Sequence, residues 1–166
     1  MTTAGTAATH LPSTKEIRDL FSGLLGRDVT LTPVGPLAPS ATSPRSIGVY
    51  ADDRLVVRAV VACDLAFSAR VGAALALLPA PVAEENIETN TLGQPLAENL
   101  YEVFSVGASL FNVPGSAHLK LAEMHPAGAA NPPHLSALML TLGRREDLEI
   151  SVPGYGLGRI SFVICG

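Results

Sequence analysis

Lysine and cysteine each occur only twice in this chain of 166 residues, and no apolar run approaches the length of a membrane span. With Lys15 and Lys120 the only lysines and a net charge of −4, there is no basic field to attract a phosphate backbone or an anionic lipid surface. Nucleic acid and membrane are therefore not expected partners. Cys63 and Cys165 stand alone, in neither the short spacing of a zinc site nor the dense pattern of a secreted disulfide scaffold. The two longest apolar stretches, residues 55–63 and 71–78, fall well short of the roughly 18 residues a spanning helix needs. Residues 1–11 are Thr- and Ala-rich, with neither the basic region nor the apolar run of a signal peptide. These features predict a cytoplasmic protein with a disordered tail over residues 1–12 and a single domain over residues 13–166.

Familiar catalytic patterns are missing too. Gly154, Gly156 and Gly158 fall in a strand-to-strand turn, whereas a phosphate-cradling loop must open a helix. His10, His118, His125 and His134 have no metal-ligand spacing, and Ser109 lacks the second glycine of a nucleophile elbow. No metal and no cofactor is expected.

What is present is core: 48% of residues are apolar, 16% are charged, and the mean hydropathy is +0.34. Ser13 and Glu16 have capping-box spacing ahead of the stripe Ile17, Leu20, Phe21, Leu24 and Leu25, and Gly26 supplies the stop. Val29 and Leu31 alternate with polar residues as a half-buried strand, and four prolines between 33 and 44 mark a connection. Residues 47–51 and 54–62 read as strands joined at Asp52-Asp53, the second apolar enough to be central, with Arg58 in need of a partner. Asp64 can cap a largely buried helix over 65–78, and residues 84–90 form an acidic linker or short helix. A strand over 118–124 follows later. Residues 135–142 leave helix and strand open, Pro132-Pro133 favouring a helix start. Leu148, Ile150 and Val152 against Ile160, Phe162 and Ile164 form a hairpin around Pro153-Gly154-Tyr155-Gly156.

Laid end to end, this is an α+β order of helix and three strands, a second helix, then helix and three strands again. It reads as an internal αβββ duplication. Leu20-Phe21 and Leu110-Phe111 each stand at the same offset before a strand leucine, Leu31 and Leu121.

Pro95 opens and Pro114-Gly115 closes the segment that carries the functional reading, expected as one helix over 95–113. Leu96, Leu100, Val103, Gly107, Leu110 and Phe111 repeat along its buried stripe. Glu98, Glu102, Ser105, Ser109 and Asn112 repeat on another face, which is either ordinary solvated surface or a docking patch.

The element order, the hairpin followed at once by a helix at Asp64, and the long helix after an acidic linker together resemble the CheC/CheX/FliY family over residues 13–166. The resemblance implies a six-stranded, mostly antiparallel sheet carrying two long helices, and for several members dephosphorylation of the response regulator CheY. The family's motif is an acidic or serine residue, three residues, Glu, two residues and Asn. Its Glu holds the partner and its Asn orients the attacking water. The best register places Glu98 first, Glu102 at the Glu and Ser105 at the Asn, so the carboxamide is missing. In that register the later proline falls on Gly128, with Pro126 nearby, and a second register does no better, putting Gln94 at the Glu and Ala97 at the Asn. No Asp or Glu in the chain precedes an Asn by three.

The resemblance thus implies a non-catalytic protein-interaction domain in bacterial chemotaxis or two-component signalling. Glu98, Glu102, Ser105 and Ser109 would form its partner-binding face, towards a receiver domain or a second copy in a homodimer joined at sheet edges. The alternative is a divergent aspartyl-phosphate phosphatase with Glu102, Ser105, Glu98 or the neighbouring Asn99 as catalytic candidates. A third reading is a small ligand in the apolar seam between helices and sheet.

Overall fold

The computed structural model describes residues 7–128 and 131–166. Helix α1 (Thr14–Leu25) starts at the expected capping box: Glu16 N–H donates to Ser13 Oγ at 3.2 Å, and Ser13 N–H donates to Glu16 Oε1 at 3.0 Å. Gly26 ends it in the left-handed region at φ 65°. Ile17, Phe21 and Leu25 are the buried stripe.

Six strands, β1 (Thr30–Pro33), β2 (Arg45–Ala51), β3 (Val57–Asp64), β4 (Lys120–His125), β5 (Arg145–Val152) and β6 (Gly156–Ile164), form one antiparallel sheet in the order β1-β5-β6-β3-β2-β4. That order is a palindrome of the two expected αβββ halves: exchanging first-half strands for second-half strands reverses it. Each half lends its outer strand to the hairpin of the other, β1 to β5 and β4 to β2.

Period-two alternation sorts the strand side chains onto two faces. Val61, Cys63, Leu148, Ile150, Ile160 and Phe162 belong to one cluster with the inner stripes of α1, α2 (Leu65–Leu75) and α4 (Gln94–Gly107). Ile47, Val49, Val60, Ala62 and Val163 form the other with Leu37 and with Leu135 and Met139 of α5 (Pro133–Met139), which settles residues 135–142 as helix at the start. Arg145 fastens that second layer: it pairs with Asp147 at 2.9 Å and donates to the carbonyls of Met139 and Thr141, both at 2.9 Å. Cys63 is fully buried, and burial pushes its thiol up.

Helix α2 is built for close approach. Its N-cap Asp64 accepts from Phe67 N–H at 2.8 Å, and a Cβ on Gly72 would stand 3.0 Å from the Leu96 carbonyl of α4. It is shorter than expected, because Leu77 turns left-handed at φ 56° and Leu78 N–H folds back to Ala73 O before Pro79. The acidic segment is a helix, α3 (Ala80–Glu88).

Four expectations need correction. The segment 95–113 is not one helix: α4 stops at Gly107 and a 3₁₀ turn, Ala108–Leu110, follows. Asn112 is not on a functional face, since its carboxamide donates to Leu119 O at 2.9 Å and accepts from Leu119 N–H at 2.8 Å. The Asp52-Asp53 turn widens into a loop through Val56, in which Asp52 accepts from the N–H groups of Arg54 and Val56 and pairs with Arg58 at 2.8 Å. Residues 1–6 of the expected tail lie outside the described residues. Its remainder is held down: Thr9 is 2% exposed and donates to Gly166 O at 2.9 Å, and Ala117 N–H donates to Ala8 O.

Candidate functional site

The outer face of α4 follows from its buried one. At roughly 100° per residue, Leu96, Leu100, Val103, Phe104 and Gly107 occupy the side against the sheet, where all are buried. Glu98, Glu102 and Ser105 take the opposite side, with Ser109 continuing their line on the 3₁₀ turn. Glu98, Glu102 and Ser109 are exposed and Ser105 is half-buried, so one element brings the four expected partner-binding residues together. Two residues that the polar periodicity passes over complete the face. Tyr101, 51% exposed, flanks the line on one side, and Val106, 36% exposed, flanks it on the other. A helical wheel drawn for all residues, rather than for polar ones alone, would have found both.

The electrostatics are one-sided. Between residues 71 and 118 the chain carries Glu84, Glu85, Glu88, Glu98 and Glu102 and no lysine or arginine. That stretch alone exceeds the net charge of the whole protein, leaving the rest close to neutral. Glu84 is neutralised by Arg70 at 3.0 Å, while Glu98 and Glu102 have no ion-pair partner among the described residues. Glu98 accepts only from Gln94 Nε2 at 3.1 Å, which also occupies that amide.

No free carboxamide stands on the line. Ser105 occupies the position where the resemblance puts the amide, and its short hydroxyl cannot offer paired donor and acceptor groups at the same reach. Asn99, the neighbouring candidate, is turned inward, where its Nδ2 donates to Gly72 O at 3.0 Å and locks α4 to α2. Among the described residues no group of three His, Cys, Asp or Glu side chains is arranged to hold a metal ion, and no helix is long and apolar enough to cross a membrane.

The helix–sheet seam is filled by aromatic packing. Phe21 meets Phe67 edge-on at 5.7 Å, Tyr50 meets Phe111 at 5.0 Å, and Phe111 meets Phe162 at 6.4 Å. Tyr50 Oη donates to Phe104 O at 2.6 Å. A separate cavity of about 540 Å³, lined by uncharged residues such as Thr42, Asn90 and Ser136, lies beside α5 and shares no residue with the α4 face.

A FliM chain from H. pylori, solved in a FliM–SpeE complex, superimposes with a TM-score of 0.60 at 9% identity, covering 90% of this chain and 80% of that one. The chain folds like FliM. A second H. pylori FliM, solved in a FliG–FliM complex, gives a TM-score of 0.58 at 10% identity over 93% of this chain and 87% of that one. FliY from Thermotoga maritima also matches, with a TM-score of 0.49 at 13% identity over 90% and 82% of the two chains. The six-stranded antiparallel sheet that the resemblance implies is the sheet observed. No protein-family model matches the sequence, and no curated protein matches it significantly.

Proposed function

We propose that this chain is a non-catalytic, CheC/CheX-like association domain of chemotaxis, flagellar or two-component signalling, working in the cytoplasm and docking through the outer face of α4. The observation that carries the reading is the combination of an exposed acidic line with the absence of a usable amide: Glu98 and Glu102 have no ion-pair partner among the described residues, while Asn99 and Asn112 are tied into the scaffold. Such a face can hold a partner by charge and by the ring of Tyr101, and it lacks the group that would position a water on an aspartyl phosphate. The FliM chains solved with SpeE and with FliG support association as the use of this fold.

A receiver domain is the proposed partner class. Titrating cognate phosphorylated and unphosphorylated receivers into the protein is expected to show binding that Glu98→Lys/Glu102→Lys abolishes, with no acceleration of phosphate loss. Accelerated hydrolysis lost in Glu102→Ala would favour the second reading, a divergent phosphatase, which draws its support from Glu98, Glu102 and Ser105 sharing one accessible face. No binding to any receiver would remove the partner class.

A homodimer through paired sheet edges finds less support in the edges themselves. β1 is four residues long and ends in Pro33, and β4 carries Lys120 and Glu123 and a bulge opposite Val49 and Tyr50. Short, charged and bulged edges resist continuation by another strand.

A further inference from the structure

Of the eight large apolar side chains exposed among the described residues, Leu77 and Leu157 stand apart, two lie on the α4 face, and four share one place. Leu55 (84% exposed), Val56, Leu140 and Leu142 (81%) gather at one end of the sheet. Register places them there: β3 begins just after Val56, and Cys165 N–H donates to Arg58 O at 2.8 Å on one side of the end of β6. On its other side Ile164 N–H donates to Arg144 O at 3.0 Å, just after Leu142. Arg54 and Arg144 are exposed on this tip with no ion-pair partner among the described residues, and Asp53, also exposed there, lies 3.8 Å from His118 Nδ1, so the tip keeps a net positive charge. The outer face of α4 is its counterpart in charge and in kind, with Glu98 and Glu102 lacking an ion-pair partner among the described residues and Tyr101 and Val106 exposed beside them.

We infer that the tip bearing Leu55 and Leu142 docks on the α4 face of a second copy of this chain, Arg54 and Arg144 meeting Glu98 and Glu102. This deepens the association reading above and rests on it. Both surfaces are exposed in one molecule, so the contact is between molecules. Because it joins two different patches, it is heterologous and leaves one free surface of each kind at the ends, so assembly continues past two copies or closes into a ring. Charge sets its register and makes it weaken with salt.

Light scattering of the full chain up to about 1 mM, the weak limit of specific association, is expected to show mass rising beyond a dimer at low salt and falling at high salt. Leu55→Ser/Leu142→Ser changes side chains that are almost wholly exposed, and Tyr101→Ser/Val106→Ser changes partly covered ones, for which circular dichroism checks that the fold is kept; each is expected to raise the apparent dissociation constant about tenfold or more. Mixed together, these two variants should form a 1:1 dimer and stop, since each retains the surface the other lacks. A chain carrying Arg54→Glu, Arg144→Glu, Glu98→Lys and Glu102→Lys together should regain assembly lost when either pair is reversed alone. A wild type that stays monomeric, or stops at a dimer while the mixed variants do not pair, overturns the inference. The receiver titration judges the α4 face separately, because Arg54→Glu/Arg144→Glu leaves that face intact.

Discussion

The two hairpins occupy equivalent places in the palindromic sheet, yet they end in opposite ways. The β5–β6 turn uses glycine where the backbone must go left-handed, at Gly154 (φ 85°) and Gly156 (φ 121°). Its one large side chain is stitched inward: Tyr155 Oη donates to Leu78 O at 2.6 Å, and Arg27 lies 5.0 Å from its ring centroid. The β2–β3 loop instead places Leu55 at φ 64°, a conformation costly for a branched side chain, and points it into solvent. One hairpin spends its residues on the fold and the other spends fold stability on an exposed leucine. Strain of that kind, held in place by Asp52, is where surface function is to be sought.

Breaking the stitched hairpin should cost most. A Cβ at Gly158 would stand 2.5 Å from Phe67 Cα in the first turn of α2, so Gly158→Ala is expected to lose about 3 kcal/mol or more, or to prevent folding. Denaturant melts of the purified variant measure this. Next comes Asp147 on β5. Its burial would raise the carboxyl, but hydrogen bonds from Arg145 and Ser161 and the Arg145 charge outweigh that and hold it below its ordinary value of 3.8. The stabilisation is then complete above that ordinary value and lost as pH falls through the lower folded one. Melting temperature should drop below pH 4 more steeply in the wild type than in Asp147→Ala, which should already be weakened by about 2 kcal/mol at pH 7. An unchanged acid profile in the variant would contradict this.

Tyr155→Phe removes one hydrogen bond and keeps the ring over Arg27, so about 1 kcal/mol should go. The smallest effect should have the opposite sign. Leu55→Gly relieves the left-handed strain at an exposed site and is expected to gain about 0.5 kcal/mol in thermal melts while weakening self-association. A variant less stable than the wild type would mean that Leu55 serves the fold after all.

Much of the fold was legible because its signals are local. The Ser13/Glu16 capping box, the Asp64 cap and the alternation of β5 and β6 each lie within a few residues, and the structure realises them all. Periodicity misled where it continued through a change of geometry: the apolar stripe runs on to Phe111, although the backbone tightens at Ala108. It also cannot tell a polar residue that faces water from one facing a backbone group, which is how Asn112 joined the expected site and how Asn99 stayed a catalytic candidate. Thr9 was out of reach for another reason, since its partner Gly166 lies 157 residues away. Glu98, Glu102 and Ser105 were found because a single helix fixes their relation. The tip was not, because Leu55 and Val56 in sequence look like the start of a central strand and its other half comes from residues 140–144.

The exchange of outer strands has a consequence for how the molecule comes into being. Neither half can complete its own sheet, since Thr30 must find Ser151 and Lys120 must reach back to Ala51. Such distant pairings slow a folding reaction. A polypeptide cut within the α3–α4 connection yields two fragments that should stay unstructured apart and regain order only when combined.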